Sequence, residues 1–308
     1  GILNVIRVLD FGRYIAGPFC AALLGDFGAE VIRIEKLDGS EDRFVAPVAD
    51  GGEGALFMQM NRNKLGMTLN PMKPEGREVV KQLVKTADVV VANLPPETLV
   101  AMGLDYASLK ATKPEIILTT VSAFGHGGPY SNRVGFDGVA QVMAGSVYMT
   151  GEPGRPMRAA VAWVDFGTAS LRALGIVSAL RARDMTGKGQ LVEGALLRTA
   201  MTFFSTTLIE EDVLKLGRKP TLNRSQTAAP SDIYKTRTGW ITVAINGDPL
   251  FRRVARLIGA PEWIEDKRFA SDKSRGDHGE IISARVAEWC AARSSDESIK
   301  AFEGARVP

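Results

Sequence analysis

Apolar and polar positions along this chain follow two rhythms, and in the first half they take turns. Short β-rich runs cover 6–11, 30–35, 89–93 and 115–121, while patterns of helical period cover 19–27, 75–86 and a short stretch around 106–111. Alternation of this kind predicts a parallel sheet with helices on its faces. Ligands in such sheets bind beyond the carboxyl ends of the strands, so function is expected in the loops after Phe11, Glu35, Asn93 and Val121. The first of these reads Gly12-Arg13-Tyr14-Ile15-Ala16-Gly17-Pro18. Its glycines do not make G-x-G-x-x-G, so a dinucleotide fingerprint is absent, and Pro18 suits the first turn of a helix.

Residues 165–183 predict a long helix that is apolar on most faces, which implies burial between layers. Asp165 stands at its mouth. A carboxylate there can cap the helix, and the helix dipole favours its charge by about 0.3–1 kcal/mol, so Asp165 is expected to stay ionised. An ionised carboxylate is what a nucleophile requires; a cap without chemistry is the alternative. Thr186-Gly187-Lys188-Gly189-Gln190 follows, without P-loop spacing, and a helix stop accounts for it. A second apolar segment spans 191–208. Beyond 210 come a basic stretch at 215–224, a hairpin of 232–234 with 240–245 turning at 236–239, and amphipathic helices near 249–258 and 281–291. The expected organisation is a large α/β domain over 1–215 and a smaller α+β domain over 216–308.

Composition narrows the function. The 308 residues are 45% hydrophobic and 24% charged, with a net charge of +3 and no lysine or arginine block of the kind that grips nucleic acid. A small anionic molecule is the better match. Two cysteines, Cys20 and Cys290, lie far apart without a Cys/His cluster, so neither a disulfide framework nor a metal site is expected. No apolar run approaches the roughly 18 residues of a membrane span, and the N-terminus lacks a signal-peptide layout. The expected location is the cytoplasm.

Several motifs occur together in order: Arg7-Val8-Leu9-Asp10 with Ala16-Gly17-Pro18, Gly28 to Glu35, Asn61-Arg62-Asn63-Lys64, Ala87 to Asn93, Gly128-Pro129-Tyr130, Asp165, and Thr186 to Gln190. The set resembles the family III CoA-transferases, which include formyl-CoA transferase, carnitine CoA-transferase and the α-methylacyl-CoA racemases, over nearly the whole chain. The resemblance implies a Rossmann-like large domain, a smaller domain and an interlocked homodimer. It also implies a C-terminal segment that returns to the large domain, which the chain ending at Pro308 lacks. Coenzyme A enters as part of an acyl-CoA substrate, with no tightly bound cofactor, and a carboxylic acid accepts it.

By the same resemblance Asp165 is the nucleophile. Carboxylate attack on the thioester gives a mixed anhydride, and the returning CoA thiolate gives an aspartyl-CoA thioester. Backbone N–H groups of Phe166 to Thr168 are candidate oxyanion donors. Tyr14, Ile15 and Asp137 are implied active-site neighbours; the alternative for Asp137 is a solvated surface charge. Ala16 (with Tyr14 and Ile15) is implied beside the pantetheine, Lys36 near the phosphates, Leu69, Asn93 and Leu94 around the adenine and ribose, and Met102 nearby. Where many relatives carry an arginine, this chain has Ala101, which shifts phosphate binding toward Lys36, Arg43, Arg62 or Lys64. The rival activity is racemisation α to the thioester, which needs a proton acceptor and donor. The racemases' Gly-His-Asp run is Gly135-Phe136-Asp137 here, and His126 reads as a surface histidine. A form that binds CoA without turnover, for want of the closing segment, is the remaining alternative. The stretch 223–230 lacks the glycine-rich loop of formyl-CoA transferase, and Tyr14 with Ile15 predicts an acid bulkier or more apolar than formate or oxalate.

Overall fold

A computed structural model describes residues Gly1–Pro308. In chain order the elements are β1 (Arg7–Asp10), α1 (Ala16–Asp26), β2 (Glu30–Glu35), α2 (Ala55–Met60), β3 (Lys64–Thr68), α3 (Pro74–Thr86), β4 (Val89–Ala92), α4 (Pro96–Met102), α5 (Tyr106–Thr112) and β5 (Ile117–Ser122). Next come α6 (Asp137–Met143), α7 (Ser146–Met149), β6 (Gly151–Glu152), β7 (Arg155–Pro156), α8 (Trp163–Thr186), β8 (Leu191–Ala195), α9 (Leu196–Phe203) and α10 (Ser205–Leu214). The last are β9 (Ser231–Lys235), β10 (Trp240–Ala244), α11 (Asp248–Leu257), α12 (Asp272–Asp277), α13 (Gly279–Ala291) and α14 (Ser295–Gly304). Two compact units result, one of Gly1–Ser146 with Arg158–Leu216 and one of Val147–Met157 with Gly217–Pro308.

The larger unit is an α/β fold with a six-stranded, wholly parallel sheet in the order β3-β2-β1-β4-β5-β8. Strand residues alternate between two apolar layers. Val8, Val31, Val89 and Ile117 face α1 and α8, while Leu9, Val90 and Leu118 face the side of α3 and α5. The segment 191–208, continuous in its apolarity, divides into edge strand β8, helix α9 and the first turn of α10. Helix α8 buries Val164, Ala169, Ala173, Ile176 and Leu180 but leaves Leu174 and Val177 exposed, so it is covered on one side rather than sandwiched. Gly187 ends α8 in the left-handed conformation (φ 69°), its N–H returned to the Arg183 carbonyl at 2.7 Å. The smaller unit packs the antiparallel β9–β10 hairpin against α11, α13 and α14 around Tyr234, Phe251, Ile282, Val286 and Phe302.

Strand order reverses direction between β1 and β4, which opens a crevice at their carboxyl ends. A buried ionic cluster supports this point. Lys64, its side chain 2% exposed, donates to Asp10 Oδ2 at 2.7 Å, the Pro18 carbonyl at 2.7 Å and Asn61 Oδ1 at 2.9 Å. Arg33 donates to both Asp42 oxygens at 2.9 and 3.0 Å. Burial works to raise the Asp10 carboxyl, but the Lys64 and Arg33 charges outweigh it and hold the group below its ordinary range. Removing one partner strands a buried charge. Lys64→Met should therefore destabilise the fold by about 3 kcal/mol in denaturant titration; a loss under about 1 kcal/mol would show that the cluster is not integral to the fold.

Candidate functional site

Three loops and one helix end meet at the carboxyl edge of the sheet. The loop after β1 is held peptide by peptide. Gly12 N–H goes to Asp10 Oδ1 at 2.8 Å, Arg13 N–H to Asn93 Oδ1 at 2.7 Å, and Tyr14 N–H to Asp42 Oδ2 at 3.1 Å. Asn93 completes a two-way clasp by donating Nδ2 to the Arg13 carbonyl at 2.8 Å. Gly17 makes room for the clasp, since a Cβ there would stand 2.5 Å from Asn93 Oδ1. Tyr14 is left in the left-handed region at φ 60°, strained for a side chain of its size. Its exposed ring meets Phe136 edge-on at 5.9 Å. Ile15 occupies the position before α1 without a side-chain capping bond, and Ala16 is buried in the first turn.

Asp165 lies within the first turn of α8 and does not cap it. The cap position is Ala162, which offers no side-chain acceptor. Asp137, at the start of α6, supplies the acceptor instead: its Oδ2 receives the N–H of Val164 at 2.8 Å and of Asp165 at 3.1 Å. Asp137 is 6% exposed, so the reading of it as a solvated surface charge is overturned. The Phe166 N–H goes to the Ala162 carbonyl at 3.2 Å. Gly167 and Thr168 lie inside α8, so the expected oxyanion donors at 166–168 are committed to the helix.

The Asp165 carboxylate accepts no hydrogen bond from the protein. Burial, reinforced by the Asp137 charge, pushes its pKa up to about 7. The dipole-stabilised, always ionised aspartate expected from sequence is thus corrected: the helix terminus is spent on Asp137, and Asp165 is poised between charge states at neutrality. Phe19 meets Phe166 edge-on at 4.9 Å, and Trp163 stacks on Phe203 at 6.1 Å, so aromatic rings fill the space around the helix end.

A cavity of about 320 Å³ at the carboxyl ends of β1 and β2 gathers Lys36, Leu69 and Met102 with Phe11, Ile34 and Arg13. Leu94 is not among them. It lines a separate cavity of about 210 Å³ with Leu99, Leu118, Val121, His126 and Glu193. His126 stands 3.2 Å from Glu193 there, with both side chains nearly half exposed. Three of the four cations named for phosphate binding are taken: Arg43 by Glu35, Arg62 by Asp26 and Lys64 by Asp10. Lys36 meets only exposed Glu41. Arg13 was missed from sequence; its guanidinium donates to the Phe11 and Gly12 carbonyls, the residue lines the cavity, and no carboxylate lies within ion-pair distance of it. Its place in the loop after the first strand was the available signal. No three His, Cys, Asp or Glu side chains gather as a metal site, and no helix is long and apolar enough to cross a membrane.

Comparison with known proteins agrees with this architecture. The sequence model of CoA-transferase family III matches residues 3–308. The chain is 35% identical to a succinyl-CoA–D-citramalate CoA-transferase of Chloroflexus aurantiacus, over 96% of this chain and 74% of that protein. It is 33% identical to a succinate–glutarate CoA-transferase of Agrobacterium fabrum, over 93% of this chain and 75% of that protein. A crystal structure of a CaiB/BaiF family protein from Brucella suis superposes with a TM-score of 0.84 at 33% identity, covering 99% of this chain and 82% of the other. Match, identity and fold coincide over nearly the whole chain, which belongs to the family III CoA-transferases, enzymes that move CoA between carboxylic acids.

Proposed function

We propose that this enzyme moves CoA from a dicarboxylic acyl-CoA to a second carboxylic acid through covalent intermediates on Asp165. The observation that carries the reading is a half-buried carboxylate with no hydrogen-bond donor, at a helix end braced by Asp137; burial there pushes its pKa up to about 7. Ionised Asp165 attacks the thioester carbonyl; the C–S bond breaks, CoA leaves as thiolate, and an acyl-aspartyl anhydride remains. The thiolate adds to the aspartyl carbonyl, the anhydride C–O bond breaks, and the first acid departs. The acceptor carboxylate then attacks the aspartyl thioester, and the freed thiolate attacks the new acyl carbon. Asp165 returns as a carboxylate, with no net proton change. Phe136, standing at the racemases' histidine, brings no proton-transferring group to a competing reaction.

The cavity containing Arg13 and Lys36 takes the CoA nucleotide, with both cations on phosphate oxygens and Leu69 and Met102 against the adenine. Tyr14, Ile15 and Ala16 flank the pantetheine, and Asn93 acts by holding their loop. The similar proteins named above handle succinyl, citramalate and glutarate groups, which supports four- and five-carbon diacids as substrates. Two copies form the working enzyme. Helix α10 buries none of its own residues and exposes Ile209, Val213 and Leu214, a face suited to a second subunit.

Succinyl-CoA should leave a CoA-sized adduct on the intact protein, mapped to Asp165 and reducible by borohydride. Asp165→Ala should abolish it and slow transfer by at least about 10³-fold; near-normal transfer by that variant would refute the nucleophile. Because only the ionised form attacks, kcat/KM should climb as pH rises through about 7. In light scattering the protein should show twice the 33.2 kDa of one chain, and Val213→Asp should lower that value. A single-chain mass for the unsubstituted protein would contradict the dimer.

A further inference from the structure

The two oxygens of Asp137 are occupied differently. Oδ2 carries the first peptides of α8, whereas Oδ1 accepts the side-chain amide of Gln141, one turn further along α6. Gln141 is 1% exposed, and its orientation is not free. Its Oε1 accepts the N–H of Ala159 at 3.1 Å, which turns the NH₂ end of the amide toward Asp137. Its own carbonyl accepts Ser146 Oγ at 2.9 Å, which fastens the end of α6. The result is a closed brace: the strand of chain just before α8 holds Gln141, Gln141 holds Asp137, and Asp137 holds the first turn of α8.

We propose that Gln141 is a positioning residue for CoA transfer: its amide locks the Asp137 carboxylate across the first peptides of α8 and thereby fixes the place and electrostatic surroundings of the Asp165 carboxylate. The proposal rests on the reading of Asp165 as nucleophile. Asp137 is the group whose charge bears on Asp165. Of the other ionisable groups on elements packed against α8, Arg198 on α9 and Cys20 on α1 act on Arg172, two turns along the helix, and Glu193 on β8 pairs with His126. Without the amide, the Asp137 carboxylate can rotate off the helix end, which moves its negative charge away from Asp165.

The test compares transfer from succinyl-CoA across pH for Gln141→Met, Asp137→Asn and the double variant, with Asp165→Ala alongside. Gln141→Met should lower kcat about tenfold and move the midpoint of the acid limb to lower pH by up to about one unit, with KM for the donor little changed. Asp137→Asn should move the midpoint the same way, and adding Gln141→Met to it should move it no further. If Gln141→Met does not fold, Gln141→Asn, too short to span both partners, carries the same readout. An unmoved midpoint with lowered Tm, or additive shifts in the double variant, would overturn the role of Gln141. Activity surviving in Asp165→Ala would instead remove the nucleophile and leave the brace a purely structural one.

Discussion

The site depends on one carboxylate answering two peptide groups. Asp137 accepts the first N–H groups of α8 at 2.8 and 3.1 Å, the service a helix ordinarily obtains from its own cap residue. Because the acceptor comes from a different helix, Asp165 is released from capping and keeps both oxygens free. The same carboxylate sets a negative charge beside Asp165 in a half-buried place, and the two effects together carry it to about 7. This has a cost to stability. A carboxyl raised from 3.8 to about 7 on folding makes the folded state hold its proton longer. Stability is therefore greatest below about pH 4 for this group and falls as pH rises to 7, by about 4 kcal/mol in all.

The substrate side rests on the ionic cluster under the switch point. Lys64 and Arg33 neutralise Asp10 and Asp42, which leaves those acids free to accept the N–H groups of Gly12 and Tyr14. Asn93, from the neighbouring strand's loop, closes the clasp on Arg13. A parallel sheet with order 3-2-1-4-5 brings these two loops together although 80 residues separate Arg13 from Asn93. The strained Tyr14 backbone persists because its neighbours over-determine it.

Much of this was legible in the chain, in a definite order of difficulty. The buried strands β1, β2, β4 and β5 announced themselves as apolar runs with helical patterns between them. Strand β3 did not, because it is an edge strand with exposed Leu65 and Thr68 and a glycine at its centre. Strand β8 was hidden in a single apolar run with α9, where length and period give no division. Asp165 stood out by its place at the head of a long helix. The role of Asp137 did not, since it lies in a contact across 28 residues of sequence and no local pattern marks an acid that caps another helix. Gln141 stands one turn from Asp137, but its bracing role depends on the Ala159 peptide 18 residues away, and Lys64 read as a free cation because its burial follows from strand order.

Burial and the Asp137 charge together hold Asp165 at the edge of ionisation. Carboxyl-carbon NMR titration of the protein labelled at aspartate, with Asp165→Asn used for assignment, reads this directly. The Asp165 resonance should titrate near pH 7 and move to lower pH in Asp137→Asn. An Asp165 that titrates near 3.8, or one whose midpoint ignores Asp137→Asn, would contradict the account.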